Sequence, residues 1–288
     1  MPAPKERFNL SVTTTSGDIH AQLDIPTGFI SITDIVPVVR ALGEQAQDLE
    51  VARTLQAGKS ISCQKGCAAC CRIMIPVSPP EAFALVDVVK TLPEAHQTRI
   101  RQNLQDTQRR LEEAGLLSTL EELAQSPRQQ SDKDFELINR AYYALRLPCI
   151  FLEDEICSIY EHRPAGCRGH LVSSPPELCQ DSEKNPVEGL HIPIRSGTVL
   201  SILWAELIGG PLRLLPLPMA FGWAKAHQDL KQKTWKGMDL LNKTLDGLEK
   251  FLRQTLTSLP QKTTMPAPGA LISEEPEASP EQPTERLS

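Results

Sequence analysis

Uninterrupted apolar sequence is missing from this chain. Its longest apolar region, VLSILWAELIGGPLRLLPLPMAFGW, is cut by Glu206, Arg213 and three prolines, so it reads as a buried, broken helical segment and not as a membrane span. The start, MPAPKERFNL, lacks a basic stretch followed by an apolar one, so no secretion signal is expected and the default address is the cytoplasm. A basic field is missing too. The formal net charge is -6, and the last 23 residues hold Glu274, Glu275, Glu277, Glu281 and Glu285 against Arg286. The body is then within about two charges of neutral, which gives no reason to expect nucleic acid or a membrane as a partner. GxSxG, HExxH and P-loop motifs are absent, as is a Gly-rich strand-to-helix turn for a nucleotide-type cofactor, so an ordinary hydrolase has no support. No internal repeat is found.

What the chain does have is cysteine in two dense groups. With 288 residues and 40% hydrophobic content it can bury a core without disulfide staples. In a reducing cytoplasm such clusters serve metals or redox chemistry more readily than crosslinks. The first group, CQKGCAACC, supplies Cys63, Cys67, Cys70 and Cys71; the second, CIFLEDEICSIYEHRPAGCRGHLVSSPPELC, supplies Cys149, Cys157, Cys167 and Cys179. Thiolates are soft donors that suit zinc, iron or iron-sulfur centres and not magnesium or calcium. Gly66 relieves steric limits where the first loop turns. Adjacent side chains in extended chain point to opposite sides, so Cys70 and Cys71 are expected to have separate tasks. Each group can make its own four-thiolate site, or the two can interleave; the residues leave both plans open. Arg163, Arg168 and Tyr160 are candidates to surround the sulfurs, the arginines by stabilising thiolates, and His162 and His170 are candidates to replace a cysteine as ligand.

Around these groups the pattern is mainly helical. Alternation in RFNLSVTTTSGDIHAQLDIP predicts a β-hairpin about Ser16-Gly17-Asp18. Helical spacing begins near Ser31 and runs towards Leu55. Further helices are expected after Ser78, over 93–115, 117–125 and 132–146, so roughly 77 residues of mostly helix separate Cys71 from Cys149. A long amphipathic helix carries the stripe Leu230, Met238, Leu241, Leu245, Leu248 and Leu252, and Trp204, Trp223 and Trp235 are expected in buried positions. The expected organisation is an N-terminal hairpin over 1–30 and a metal-binding domain over 31–185 with a helical insert at 79–146. A helical region over 186–259 packs on it, and a disordered acidic, Pro-rich tail covers 260–288. The fold class is mainly α with a small β-hairpin, its irregular cysteine-rich core surrounded by helices.

CxxxCxxCC followed by CIFLEDEICSIYEHRPAGCR resembles the bacterial YkgJ-type cysteine-cluster family, described as zinc- or iron-chelating domain proteins; flagellin lysine methylases are similar in the same motif. The fit takes in the first four cysteines, then Cys149, Phe151, Leu152, Cys157, Ile159, Tyr160, Arg163, Pro164, Cys167 and Arg168. It departs at CRGHLVSS, where many relatives have a proline or an aromatic soon after the arginine. The resemblance implies metal binding. Three functions follow: a protein that chelates zinc or iron for handling, storage or sensing; an enzyme with an iron-sulfur cluster, such as [4Fe-4S]; and a zinc-stabilised scaffold for a protein partner that the residues do not specify.

Overall fold

The computed structural model describes residues 4–129 and 132–258, without the side chains of 132–134 and 255–258. The tail expected over 260–288 lies outside the described residues. Strand β1 (Lys5–Thr14) pairs antiparallel with β2 (Gly17–Pro26), from Thr14 opposite Gly17 to Lys5 opposite Pro26. Alternation puts Ile19, Ala21, Leu23 and Ile25 on the inner face, where β2 packs against helices. The turn falls on Thr15 and Ser16, slightly ahead of the expected site. The Thr14 hydroxyl fixes it, donating to Gly17 O (2.7 Å) and accepting from Ser16 N (3.2 Å).

After β3 (Phe29–Ser31), Ser31 caps a 3-10 turn over Ile32–Ile35, and Asp34 accepts from Ser31 N at 2.9 Å. Helix α1 (Val36–Gln56) follows, burying Val39, Leu42 and Ala46. Beyond the first cysteine loop come β4 (Pro76–Val77) and α2 (Pro79–Thr91), then α3 (Glu94–Glu113), α4 (Leu117–Gln125) and α5 (Asp132–Ala144). The second cysteine segment holds β5 (Leu152–Glu153), β6 (Ile156–Cys157) and α6 (Ala165–Arg168). The apolar region forms α7 (Ser196–Ile208), β7 (Leu215–Pro216) and α8 (Leu217–Ala226), and α9 (Gln228–Lys231), β8 (Thr234–Lys236) and α10 (Gly237–Ser258) complete the chain. The result is mainly helical with small antiparallel strand pairs: β3 with β8, β4 with β7, and β5 with β6.

One expected element is divided. Leu230 does not share a helix with Met238 and Leu252, because Thr234–Lys236 leaves the helical path to pair with Phe29–Ser31. From Gly237 onward the stripe is as expected, with Leu241, Leu248 and Leu252 buried.

The core centres on α2, α7 and α8. Phe83 meets Trp204 edge-on at 5.6 Å and Trp223 at 5.4 Å between ring centroids. Trp204 and Trp223 are buried, and Trp235 is half-buried. The packing also positions the cysteines. The first cysteine loop joins α1 to α2 and the second segment joins α5 to α7. Because α1, α2 and α7 pack on one another, the ends of both segments are drawn to one place.

Candidate metal centre

Two backbone links stitch the cysteine segments together. Ser62 N donates to Val172 O at 3.1 Å, and Cys149 N donates to Cys71 O at 2.7 Å. Cys63 is therefore set beside the end of the second segment and Cys71 beside its beginning. Val172 N also donates to Cys63 Sγ (3.3 Å), which itself faces His170 O at 3.7 Å. Gly66 takes φ +93, a conformation that side-chain-bearing residues rarely adopt, and so lets the first loop reverse between Cys63 and Cys67.

The second segment is shaped by a tight hairpin. Asp154 (φ 49) and Glu155 (φ 60) turn β5 into β6, and Arg72 of the first loop holds Glu155 at 2.6 Å. This brings Cys157 opposite Leu152, whose N–H in turn bonds to Cys149 O at 2.8 Å. The amides of Phe151 and Ile159 donate to the sulfurs of Cys149 and Cys157, two residues earlier in each case. Such N–H to sulfur bonds stabilise the thiolate form.

Cys167 sits on α6, which is anchored from below by Glu81. That carboxylate is 1% exposed and accepts from Ser78 N (3.2 Å), Ser78 Oγ (2.7 Å) and Ala165 N (2.7 Å). Gly166 permits the close approach of α6 to β4, since a Cβ there would lie 2.9 Å from Pro76 O. The signal for Glu81 was present in the sequence as a Ser-x-x-Glu capping box, but a cap alone does not announce a second partner 84 residues away.

All eight cysteines are half-buried and none is paired in a disulfide. Among the described residues, no three His, Cys, Asp or Glu side chains stand close enough together, as placed, to hold a metal ion. The thiols form a looser assembly in which electrostatic neighbours sort them. Cys63 feels Cys70, Cys67 and Cys179, and Cys179 feels Cys67 and Cys70. Cys71 feels Cys149, Cys70 and Cys167, while Cys149 feels Cys157 and Cys70, Cys157 feels Cys70, and Cys167 feels Cys149, Cys70 and Cys157. Each neighbourhood mixes the two sequence groups, and Cys70 touches both.

Burial and neighbouring sulfurs push the thiols upward: Cys149 to about 12, Cys167 well above its ordinary value, and Cys63, Cys157 and Cys179 in the same direction. Cys70 moves the other way, to about 7, first because the Cys71 thiol donates to its sulfur and also because Arg163 lies nearby. Donation correspondingly raises Cys71. The donor set, eight soft sulfurs with Glu177 the carboxylate that acts on Cys179, fits zinc or iron.

The flanking candidates separate. Arg163 lies 3.7 Å over the Tyr160 ring, with Lys65 at 5.2 Å, and its charge favours the thiolates of Cys70, Cys157 and Cys167. Arg168 instead pairs with Glu44 on α1 and bonds to Arg163 O at 3.0 Å. His162 is exposed at the end of a 3-10 turn, and the exposed His170 lines a neighbouring cavity.

No curated protein and no solved structure matches the chain. Residues 62–186, which contain both cysteine groups, match the family model CxxCxxCC, described as a "putative zinc- or iron-chelating domain". The match takes in Cys63 through Cys179 and leaves the N-terminal hairpin, α1 and the helices from α7 onward outside it.

Proposed function

We propose that the protein binds zinc or iron through two interleaved sets of four thiolates. One set is Cys63, Cys67, Cys70 and Cys179; the other is Cys71, Cys149, Cys157 and Cys167. The observation that carries this reading is the mixing of neighbours: Cys179 groups with Cys63 and Cys67, and Cys71 with Cys149 and Cys167. Four sulfurs complete a tetrahedral zinc site or hold the corners of an iron-sulfur cluster, and Arg163 offsets the negative charge that either would carry. Complete sets leave no open coordination position. A role in holding metal, in stabilising the fold or in passing electrons therefore suits the sites better than activation of a bound substrate. Half-buried thiols outside any disulfide agree with a reducing, cytoplasmic setting.

Purification without oxygen or chelators, followed by metal and sulfide analysis and an optical spectrum, tests the proposal. About two zinc ions per colourless chain supports closed tetrahedral sites; iron with sulfide and broad absorption near ~400 nm supports clusters. Folded protein that carries no metal and leaves all eight thiols titratable refutes both.

A further inference from the structure

Beside α6 lies a cavity of about 340 Å³ walled by α1, α6 and the start of α7. That volume is at the small end of the range for ligand pockets, roughly 300 Å³ and upward. Arg40, Arg168 and Arg195 line it, with His170 and His191. Two carboxylates are nearby, and both are committed. Glu44 pairs with Arg168, and Glu81 receives its bonds from Ser78 and Ala165. Arg40 is left differently: its Nε is fully buried with no hydrogen-bond partner. Burial and repulsion from Arg168 act against its charge, with Glu81 and Glu44 opposing them only at a distance.

The start of α7 adds a second feature. This 13-residue helix has Arg195 in its N-cap position and no side-chain cap. Thr198 N and Val199 N both bond to Arg195 O, whereas the amides of Ser196 and Gly197 have no acceptor among the described residues. Glu81 comes close to Gly197, as a Cβ there would lie 3.4 Å from its Oε2, but it accepts from other donors. Unfilled amides at a helix start favour an anion, and guanidinium groups bind carboxylate and phosphate with charge-assisted bonds.

We propose that this cavity binds a small molecule through an oxyanion, either carboxylate or phosphate, held by Arg40, Arg195 and the first amides of α7. The full-length protein is titrated calorimetrically with succinate, with inorganic phosphate and with neutral succinamide. Saturable binding of succinate or phosphate, with none of succinamide, is expected, and whichever anion binds identifies the headgroup. Arg40→Met and Arg195→Met each weaken that binding by about tenfold or more, while Lys243→Met, altering an ion pair on α10, leaves it unchanged. Arg195 is exposed, so its variant is informative even if Arg40→Met fails to fold. Absence of saturation by both anions, equal binding of succinamide, or wild-type affinity in the folded arginine variants overturns the proposal. An anion bound at a metal would ignore both substitutions, so this inference and the metal reading fail separately.

Discussion

Cys70 and Cys71 touch through their sulfurs, the Cys71 thiol donating to Cys70, yet their further contacts differ. The Cys71 amide closes a turn on Ala68 O at 2.9 Å and its carbonyl receives Cys149 N, which fixes Cys71 beside the second segment. Cys70 meets Cys63 and Cys179 as well. Cys70→Ser and Cys71→Ser are therefore expected to cost about half the bound metal each, from different sites. Paired substitutions discriminate further. Cys71→Ser with Cys149→Ser should lose no more metal than either alone, whereas Cys71→Ser with Cys63→Ser should lose nearly all. The reverse pattern in elemental analysis would show that each sequence group makes its own site. Protons supply a second residue-level test. Thiols whose pKa is raised must release a proton to take a cation, so apparent metal affinity rises with pH and falls between pH 8 and 6, by up to about tenfold per unit for each proton released. Chelator competition, corrected for the chelator's own protonation, measures this; affinity independent of pH would argue against thiol ligation. For chelator-stripped protein the linkage has the opposite sense. The folded state holds these protons more tightly than the unfolded one, so the stabilisation is complete below about pH 8.5 and is lost as pH climbs towards the raised values.

At the scale of elements, α6 is the piece whose placement matters most, because it carries Cys167 and yet has four residues and no core of its own. Glu81 reaches it from α2, and its removal leaves three donors in buried or half-buried positions. Glu81→Ala is expected to lower stability in urea by about 2–4 kcal/mol, combining a lost cap with unmet buried donors. It should also reduce metal retention although no sulfur is changed; unaltered metal content would show that α6 holds its place without the carboxylate. Legibility also divides by element. Local pattern was enough for the hairpin, for α1 to α5 and for the division of the apolar region by its prolines, because each depends on spacing within one stretch. The break between Leu230 and Met238 was not visible, since it depends on Thr234–Lys236 finding Phe29–Ser31 some 200 residues earlier. Likewise the soft-donor chemistry could be read from the cysteines themselves, but the approach of their two groups to one another could not. It is set by the Ser62–Val172 and Cys71–Cys149 links, which exist only after the helices between them have packed. Arg40 was hidden for a similar reason: on α1 it is an ordinary polar residue until α7 and α6 close over it.

For the whole molecule the question is whether metal and core are one cooperative unit. Phe83, Trp204 and Trp223 form an aromatic centre with ring centroids 5.4–6.1 Å apart, built from α2, α7 and α8, in a hydrophobic core that the cysteine segments also join, through Ile75, Ile150, Phe151 and Ile159. Nothing in that centre is a thiol, whereas residues 60–75 and 149–180 contain little regular structure and rely on turns and a few backbone links. A chelator should accordingly lower the melting temperature while leaving most helical circular dichroism intact. Hydrogen exchange should speed up in 60–75 and 149–180 and remain slow in α2, α7 and α8. Phe83→Ala should do the converse, destabilising the entire chain by about 3–5 kcal/mol through the cavity it leaves, with the thiols still able to take up metal below the unfolding transition. Loss of all helical signal on chelation would instead mean that the sulfurs nucleate the core, and that the cysteine segments and the aromatic centre fold as a single metal-dependent body.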